Sequence, residues 1–293
     1  MTSLRVRQLA PPATIALLLA VVAGSFAFPG QDADFGSEGI RVKRVAGGQK
    51  VEVTVVPYQA KIEHPNGICG ATIIHPSFVL TAKHCVKGNA KEMRVTVGAP
   101  SSRGRPPVVR MVRRVLAFPD KAQLDERRRW LPRDVPPTAV MGDIALVQVD
   151  PPFPTDRDRE IRLVELQTQR GIVANCVLSG WGYTKTNDDS PSRLRAAVVE
   201  VFPRDKCLRL EKRLKQDYIC AGQRGGGVDA CDGDSGGPLV CGGRLTGVVK
   251  GGRGCGESMQ VTKYTEVALY ARWVASKVEE VEETRLGFAR KGA

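Results

Sequence analysis

Ten consecutive residues, Asp229-Ala230-Cys231-Asp232-Gly233-Asp234-Ser235-Gly236-Gly237-Pro238, restrict this chain more than any other stretch. Glycine takes backbone conformations closed to other residues and lets other atoms come close to the main chain. A serine set among glycines is therefore presented on bare backbone, where the N–H groups of Gly233 and Ser235 can hold an oxyanion. The plain alternative is a tight Gly/Pro turn with no chemistry. Two upstream segments argue against it. A serine hydroxyl is a weak nucleophile until a base takes its proton. Thr81-Ala82-Lys83-His84-Cys85 offers an imidazole, and Gly142-Asp143-Ile144-Ala145-Leu146 offers a carboxylate to orient it. His64 and His75 stand in no such motif; each precedes a proline and reads as a turn residue.

Around these motifs the chain reads as strands. Val51 to Val56, Pro57 to Ile62, Ala71 to Ile74, Phe78 to Leu80, Arg94 to Val97, Val108 to Val112 and Ile144 to Val149 are short runs with Gly/Pro punctuation. Cys176 to Ser179, Ala197 to Phe202, Leu239-Val240 and Leu245 to Val249 continue the pattern. Such spacing predicts an all-β barrel or sandwich. Pro151-Pro152-Phe153-Pro154 cannot pair inside a sheet and reads as a crossing between two halves. Leu269 to Leu286 has helical spacing around Trp273, Val274, Val278 and Val281.

GDSGGP, TAKHC and GDIALV, in the order His, Asp, Ser, resemble the motifs of the trypsin/chymotrypsin family of serine peptidases, over Val45 to about Val278. The resemblance implies two antiparallel six-stranded β-barrels with a C-terminal helix. It gives His84, Asp143 and Ser235 the roles of base, orienting carboxylate and nucleophile. Asp229, six residues before Ser235, takes the floor of the primary specificity pocket and selects lysine or arginine. The pocket walls fall on Lys250-Gly251-Gly252 and on Thr262. Both depart from the family's usual Ser-Trp-Gly and glycine: the Thr262 side chain has the size to narrow the pocket above Asp229, and the stem of Lys250 is long enough either to pair with Asp143 or to swing out to solvent. The implied disulfides are Cys69–Cys85 around His84, Cys176–Cys241, Cys207–Cys220, and Cys231–Cys255 framing the pocket. Cutting after Arg44 frees the Val45 amine, which pairs with Asp234 and shapes the oxyanion hole at Gly233.

The family's export is supported independently. Arg5 and Arg7 precede the apolar run Ile15 to Ala23, too short to span a bilayer, and small residues follow. This sets residues 1–25 as a signal peptide (27 by the second small-residue site) and 26–44 as an activation propeptide. Residues 45–293 form the peptidase domain, with a charged extension after about 278. No second long apolar run exists, so no membrane span is expected. Eight cysteines without a C-x-x-C pair fit disulfides in an exported chain and exclude zinc spacing. No cofactor and no metal are expected; Val97 to Pro107, where calcium-binding relatives carry acids, has none. A net charge of +13 keeps a secreted protein soluble and attracts polyanions. Residues 119–141, with Arg127-Arg128-Arg129-Trp130 and Arg133, lengthen the His84–Asp143 interval; they read either as a solvated loop or as a site for a polyanion or acidic protein. The sequence thus implies a secreted endopeptidase acting on protein or peptide substrates after activation by another protease. The alternatives are a weak or inactive homologue that binds partners through its basic loop, and a polyanion-binding module. The last leaves GDSGGP and TAKHC without a reason.

Overall fold

The computed structural model describes residues 48–65, 67–98, 106–183, 193–223, 225–251 and 261–291. The expected signal peptide and propeptide, Arg44, Val45, Gly252 and Cys255 lie outside these residues.

In chain order the elements are β1 (Gln49–Lys50), β2 (Gln59–His64), β3 (Gly67–His75), β4 (Phe78–Thr81), β5 (Arg94–Val97), β6 (Val108–Ala117) and α1 (Leu124–Trp130). They continue with β7 (Ala145–Val149), β8 (Glu165–Leu166), β9 (Asn175–Gly180), β10 (Arg195–Val201), α2 (Arg204–Leu210) and β11 (Tyr218–Gly222). β12 (Pro238–Cys241), β13 (Arg244–Gly251), β14 (Thr262–Glu266) and α3 (Ala271–Lys291) complete the set. Six antiparallel strands close the first barrel in the order β2-β3-β4-β7-β6-β5. The second closes as β9-β10-β11-β14-β13-β12, with β1 added on β10 and β8 running parallel beside β13. Ring closure pairs each barrel strand on both sides, leaving only the two-residue β1 and β8 as edges among the described strands.

Alternation fills both interiors. Ile62, Ile73, Phe78, Leu80, Val95 and Leu146 are fully buried in the first barrel; Leu178, Leu239, Val249 and Tyr264 are fully buried in the second. β6 runs past the expected Val112 through Arg113 and Arg114, with a register irregularity between Val112 and Arg114. The two arginines stay outside by bonding to Asp150 and Gln148. One expected strand is absent. Val53–Val55 forms a 3-10 turn, because Val53 and Val56, three residues apart, both turn inward onto Trp181 and Leu194.

Three expected disulfides are present: Cys69–Cys85, Cys176–Cys241 and Cys207–Cys220. Cys231 is also disulfide-bonded. Cys69–Cys85 spans 16 positions and, on the chain-entropy account, contributes about 3 kcal/mol.

α3 docks on the first barrel through Trp273, Val274 and Val281. Phe118 receives Tyr270 and Trp273 edge-on, with ring centroids 4.7 Å and 5.6 Å away. α1 has Asp125 and Glu126 in its first turn and three arginines in its last, which suits the helix dipole. Its Arg127 and Trp130 face inward, so the basic run is not a wholly solvated stretch. Among the described residues no helix is long and apolar enough to cross a membrane.

Candidate active site

β4 ends at Thr81, and a 3-10 turn over Lys83–Val86 carries His84. The Cys69–Cys85 bridge fastens that turn to β3. Lys83 ties it from the other side, donating to the Phe118 carbonyl and to Asp120, both at 2.7 Å. His84 meets Asp143 twice. Its backbone N–H donates to Oδ1 at 2.9 Å, and its Nδ1 lies 2.8 Å from Oδ2. An ionised carboxylate only accepts, so the Nδ1 proton belongs to the ring and points at Asp143.

Asp143 sits two residues before the start of β7 and is 8% exposed. Burial pushes its carboxyl up. The hydrogen bond and charge of the His84 ring, the His84 N–H and the Lys250 ammonium outweigh burial and hold the pKa at about 2. The Lys250 Nζ stands 3.3 Å from the oxygen that His84 Nδ1 uses. Its side chain is 33% exposed, so it works at the rim of the site.

The Ser235 turn is held by main-chain bonds. Asp234 N donates to the Cys231 carbonyl at 3.0 Å and Gly237 N to the Asp234 carbonyl at 2.9 Å. Gly236 N and Val249 N cross to Val249 O and Gly237 O at 2.8 and 2.9 Å. The Ser235 carbonyl accepts from Gly70 N at 2.8 Å, and the Gly70 carbonyl accepts from Thr81 Oγ1 at 2.8 Å. The serine backbone is thus sewn onto the strands that deliver His84. A side chain at Gly236 would run into Thr81 and Gly70, and its φ of +81° already favours glycine. Among the described residues the hydrogen bonds of the site join His84 to Asp143 and the Ser235 backbone to Gly70, and none joins the Ser235 hydroxyl to the His84 ring. Gly233 takes a φ of +90°, and among the described residues its N–H and that of Ser235 take no part in the bonds of the turn.

Asp234 points away from this face into a buried pocket. Gly182 N donates to Oδ1 at 2.8 Å and Cys231 N to Oδ2 at 3.0 Å. Side chains at Gly180 or Gly182 would overlap the carboxylate, so both glycines are part of its cradle. Burial raises its pKa to about 6 against the two N–H donors, and the Asp232 charge adds to the rise.

Asp229 is 3% exposed and accepts from Ala230 N at 2.9 Å. The Thr262 hydroxyl reaches the same N–H at 3.3 Å. Thr262 therefore stands beside Asp229 at the level of the carboxylate, fully buried on β14.

Three residues missed in the sequence support the Asp143 segment. Asp217 accepts from Met141 N and Gly142 N, Arg127 donates to the Val140 carbonyl, and Thr265 Oγ1 donates to the Asp143 carbonyl. Acid-then-base order in α1, with Arg127 and Trp130 at helical spacing, was a signal for the second of these. Asp217 and Thr265 carry none.

The trypsin family profile matches residues 45–274. Trypsin eta of Drosophila melanogaster is 34% identical over 215 residues, covering 71% of this chain and 76% of that protein. Kallikrein 1-related peptidase b24 of Mus musculus is 31% identical, covering 79% and 88%. Among solved structures, neuropsin, a serine protease expressed in the limbic system of mouse brain, superposes with a TM-score of 0.65 at 27% identity, covering 79% of this chain and 98% of its own.

Proposed function

This chain belongs to the trypsin family of serine peptidases, and from that premise we propose that it is a secreted endopeptidase, made as a zymogen and cutting after arginine or lysine. One observation carries the reading: a buried Asp143 holds His84 Nδ1 at 2.8 Å while the Ser235 backbone is bonded to Gly70, the neighbour of Cys69, which is bridged to Cys85 in the His84 turn. The family template then gives the steps. His84 takes the Ser235 proton through its other ring nitrogen, and the alkoxide attacks the substrate carbonyl. The N–H groups of Gly233 and Ser235 receive the oxyanion, and His84 returns the proton to the leaving amine. Water repeats the sequence on the acyl-enzyme. The serine–histidine hydrogen bond commonly tightens only when substrate arrives.

The buried Asp229 carboxylate supports a cationic residue before the cut. Thr262 beside it supports reduced room there. Asp234, enclosed by Gly180 and Gly182 and lifted to about 6 by burial, supports an incoming ammonium as its partner, supplied by Val45 after cleavage at Arg44. Lys250 at 3.3 Å from Asp143 favours a slowed enzyme rather than an inactive one, since His84 keeps its shorter contact. With Arg127 buried, the acidic partner of residues 119–141 would meet the exposed Arg128, Arg129 and Arg133.

Replacing Ser235 by alanine tests the reading. The activated Ser235→Ala variant should lose hydrolysis of arginyl substrates by on the order of a million-fold and lose labelling by a serine-directed phosphonate, with its melting temperature kept. Wild-type turnover in that variant would end the catalytic reading.

A further inference from the structure

The basic segment that precedes Asp143 hides its first arginine. Arg127 is fully buried, and its Nη2 donates to the Val140 carbonyl at 3.0 Å. The guanidinium carbon lies 5.6 Å from the Phe118 ring centroid. Its Nε and Nη1 have no hydrogen-bond partner among the described residues. A guanidinium without water costs several kcal/mol unless its surroundings compensate it.

A buried anion grips the same peptide run. Asp217 is fully buried and accepts from Met141 N at 3.0 Å, from Gly142 N at 3.0 Å and from the Tyr270 hydroxyl at 2.7 Å. Tyr270 registers both charges: besides burial, Asp217 raises its pKa and Arg127 lowers it. So the cation takes the carbonyl of residue 140, and the anion takes the amides of 141 and 142. The next residue is Asp143. Gly142 makes the arrangement feasible. It takes a φ of +72°, and a Cβ there would stand 2.9 Å from Arg127 Nη2 and 2.8 Å from a Phe118 ring carbon.

We propose that Arg127 and Asp217 form a buried charge clamp that positions Asp143 against His84, which makes α1 a positioning element of the catalytic apparatus. The inference rests on the catalytic reading of His84, Asp143 and Ser235. The clamp acts on peptide units one to three residues from a carboxylate whose contact with His84 is 2.8 Å. Small displacements of such groups carry large rate penalties.

The test uses the full activated enzyme and the variants R127M, R127K, D217N and R127M/D217N. Steady-state kinetics on an arginyl amide, thermal unfolding, and the proton NMR resonance of the His84 Nδ1 hydrogen shared with Asp143 are measured on each. R127M should lower kcat about tenfold with KM within about twofold, and should move the resonance. R127K should fall between R127M and wild type. The double variant should recover part of the lost kcat, because neither charge is then left alone. The proposal fails if R127M and R127K lower Tm but leave kcat and the resonance at wild-type values. It also fails if the double variant shows only the product of the single losses. Should R127M not fold, R127K and D217N must still move kcat and the resonance together, or the clamp is wrong. A wild-type protein that folds but turns over nothing ends the catalytic reading alone. The resonance then decides the clamp: moved in R127M it stands, unmoved it falls.

Discussion

Asp143 and Asp234 are both buried carboxylates, and their surroundings drive them in opposite directions. Asp143 accepts from the His84 ring and main chain and lies near Lys250, and is held at about 2. Asp234 is met, among the described residues, by two main-chain N–H groups and the Asp232 charge, and burial lifts it to about 6. Both lie almost out of water, so depth does not distinguish them. Cations do: among the described residues Asp143 has His84 and Lys250 beside it, whereas Asp234 is enclosed by Gly180 and Gly182. On the proposed function, Asp143 belongs to the catalytic apparatus and Asp234 is the carboxylate that the Val45 ammonium would pair with after cleavage.

The sharpest way to break this contrast is Asp143→Asn in the activated enzyme. An amide cannot accept from both His84 donors and stabilise an imidazolium, so kcat should fall about ten-thousand-fold with the fold intact. A loss below tenfold would show that His84 does not depend on its partner.

Next in size is the pH dependence of stability in the unprocessed chain. Asp143 is depressed from 3.8 to about 2, so its stabilisation is present above about pH 4 and is lost as pH falls toward 2. Asp234 is raised from 3.8 to about 6, so the folded state holds a proton that the unfolded state releases between these values. Stability therefore drops as pH rises from about 4 to 6, by on the order of 3 kcal/mol in full. Asp234→Asn should abolish the upper window and leave the lower one. Urea unfolding at pH 2, 3, 4, 5, 6 and 7 measures both windows, and a pH 4–6 profile unchanged in Asp234→Asn would remove Asp234 as the group responsible.

The smallest effect concerns Lys250. Replacing it by serine removes a competing cation from Asp143 Oδ2 and leaves a hydroxyl within the family's usual pattern. Activated Lys250→Ser should turn over arginyl substrates up to about tenfold faster, consistent with the limited worth of a partly exposed ion pair. A kcat equal to wild type would mean that the ammonium and the imidazole share the carboxylate without cost.

Motif residues and barrel strands with β-branched runs were legible in the sequence because their chemistry and spacing are local. Arg94–Val97 matched β5 residue for residue, and three cysteine pairs followed from the resemblance. β14 was not legible: Thr262–Glu266 is polar at every position but Tyr264, and four of its five residues are nonetheless buried because the barrel satisfies them. Arg127 was read among exposed arginines, since a charged residue is seldom buried without partners that lie elsewhere in the chain. Asp217 likewise gains its place from amides 75 and 76 positions away. Such residues depend on long-range partners, which no local pattern announces.

The bond from Gly70 N to the Ser235 carbonyl crosses from β3 of the first barrel to a turn of the second. Thr81 and Gly236 crowd the same spot, with no room for a side chain. Opening either barrel alone would break these bonds and expose the tightly packed seam to water. The two halves are therefore bound to melt as one cooperative unit, and partial unfolding that spares the reacting centre is confined to the outer loops and α3.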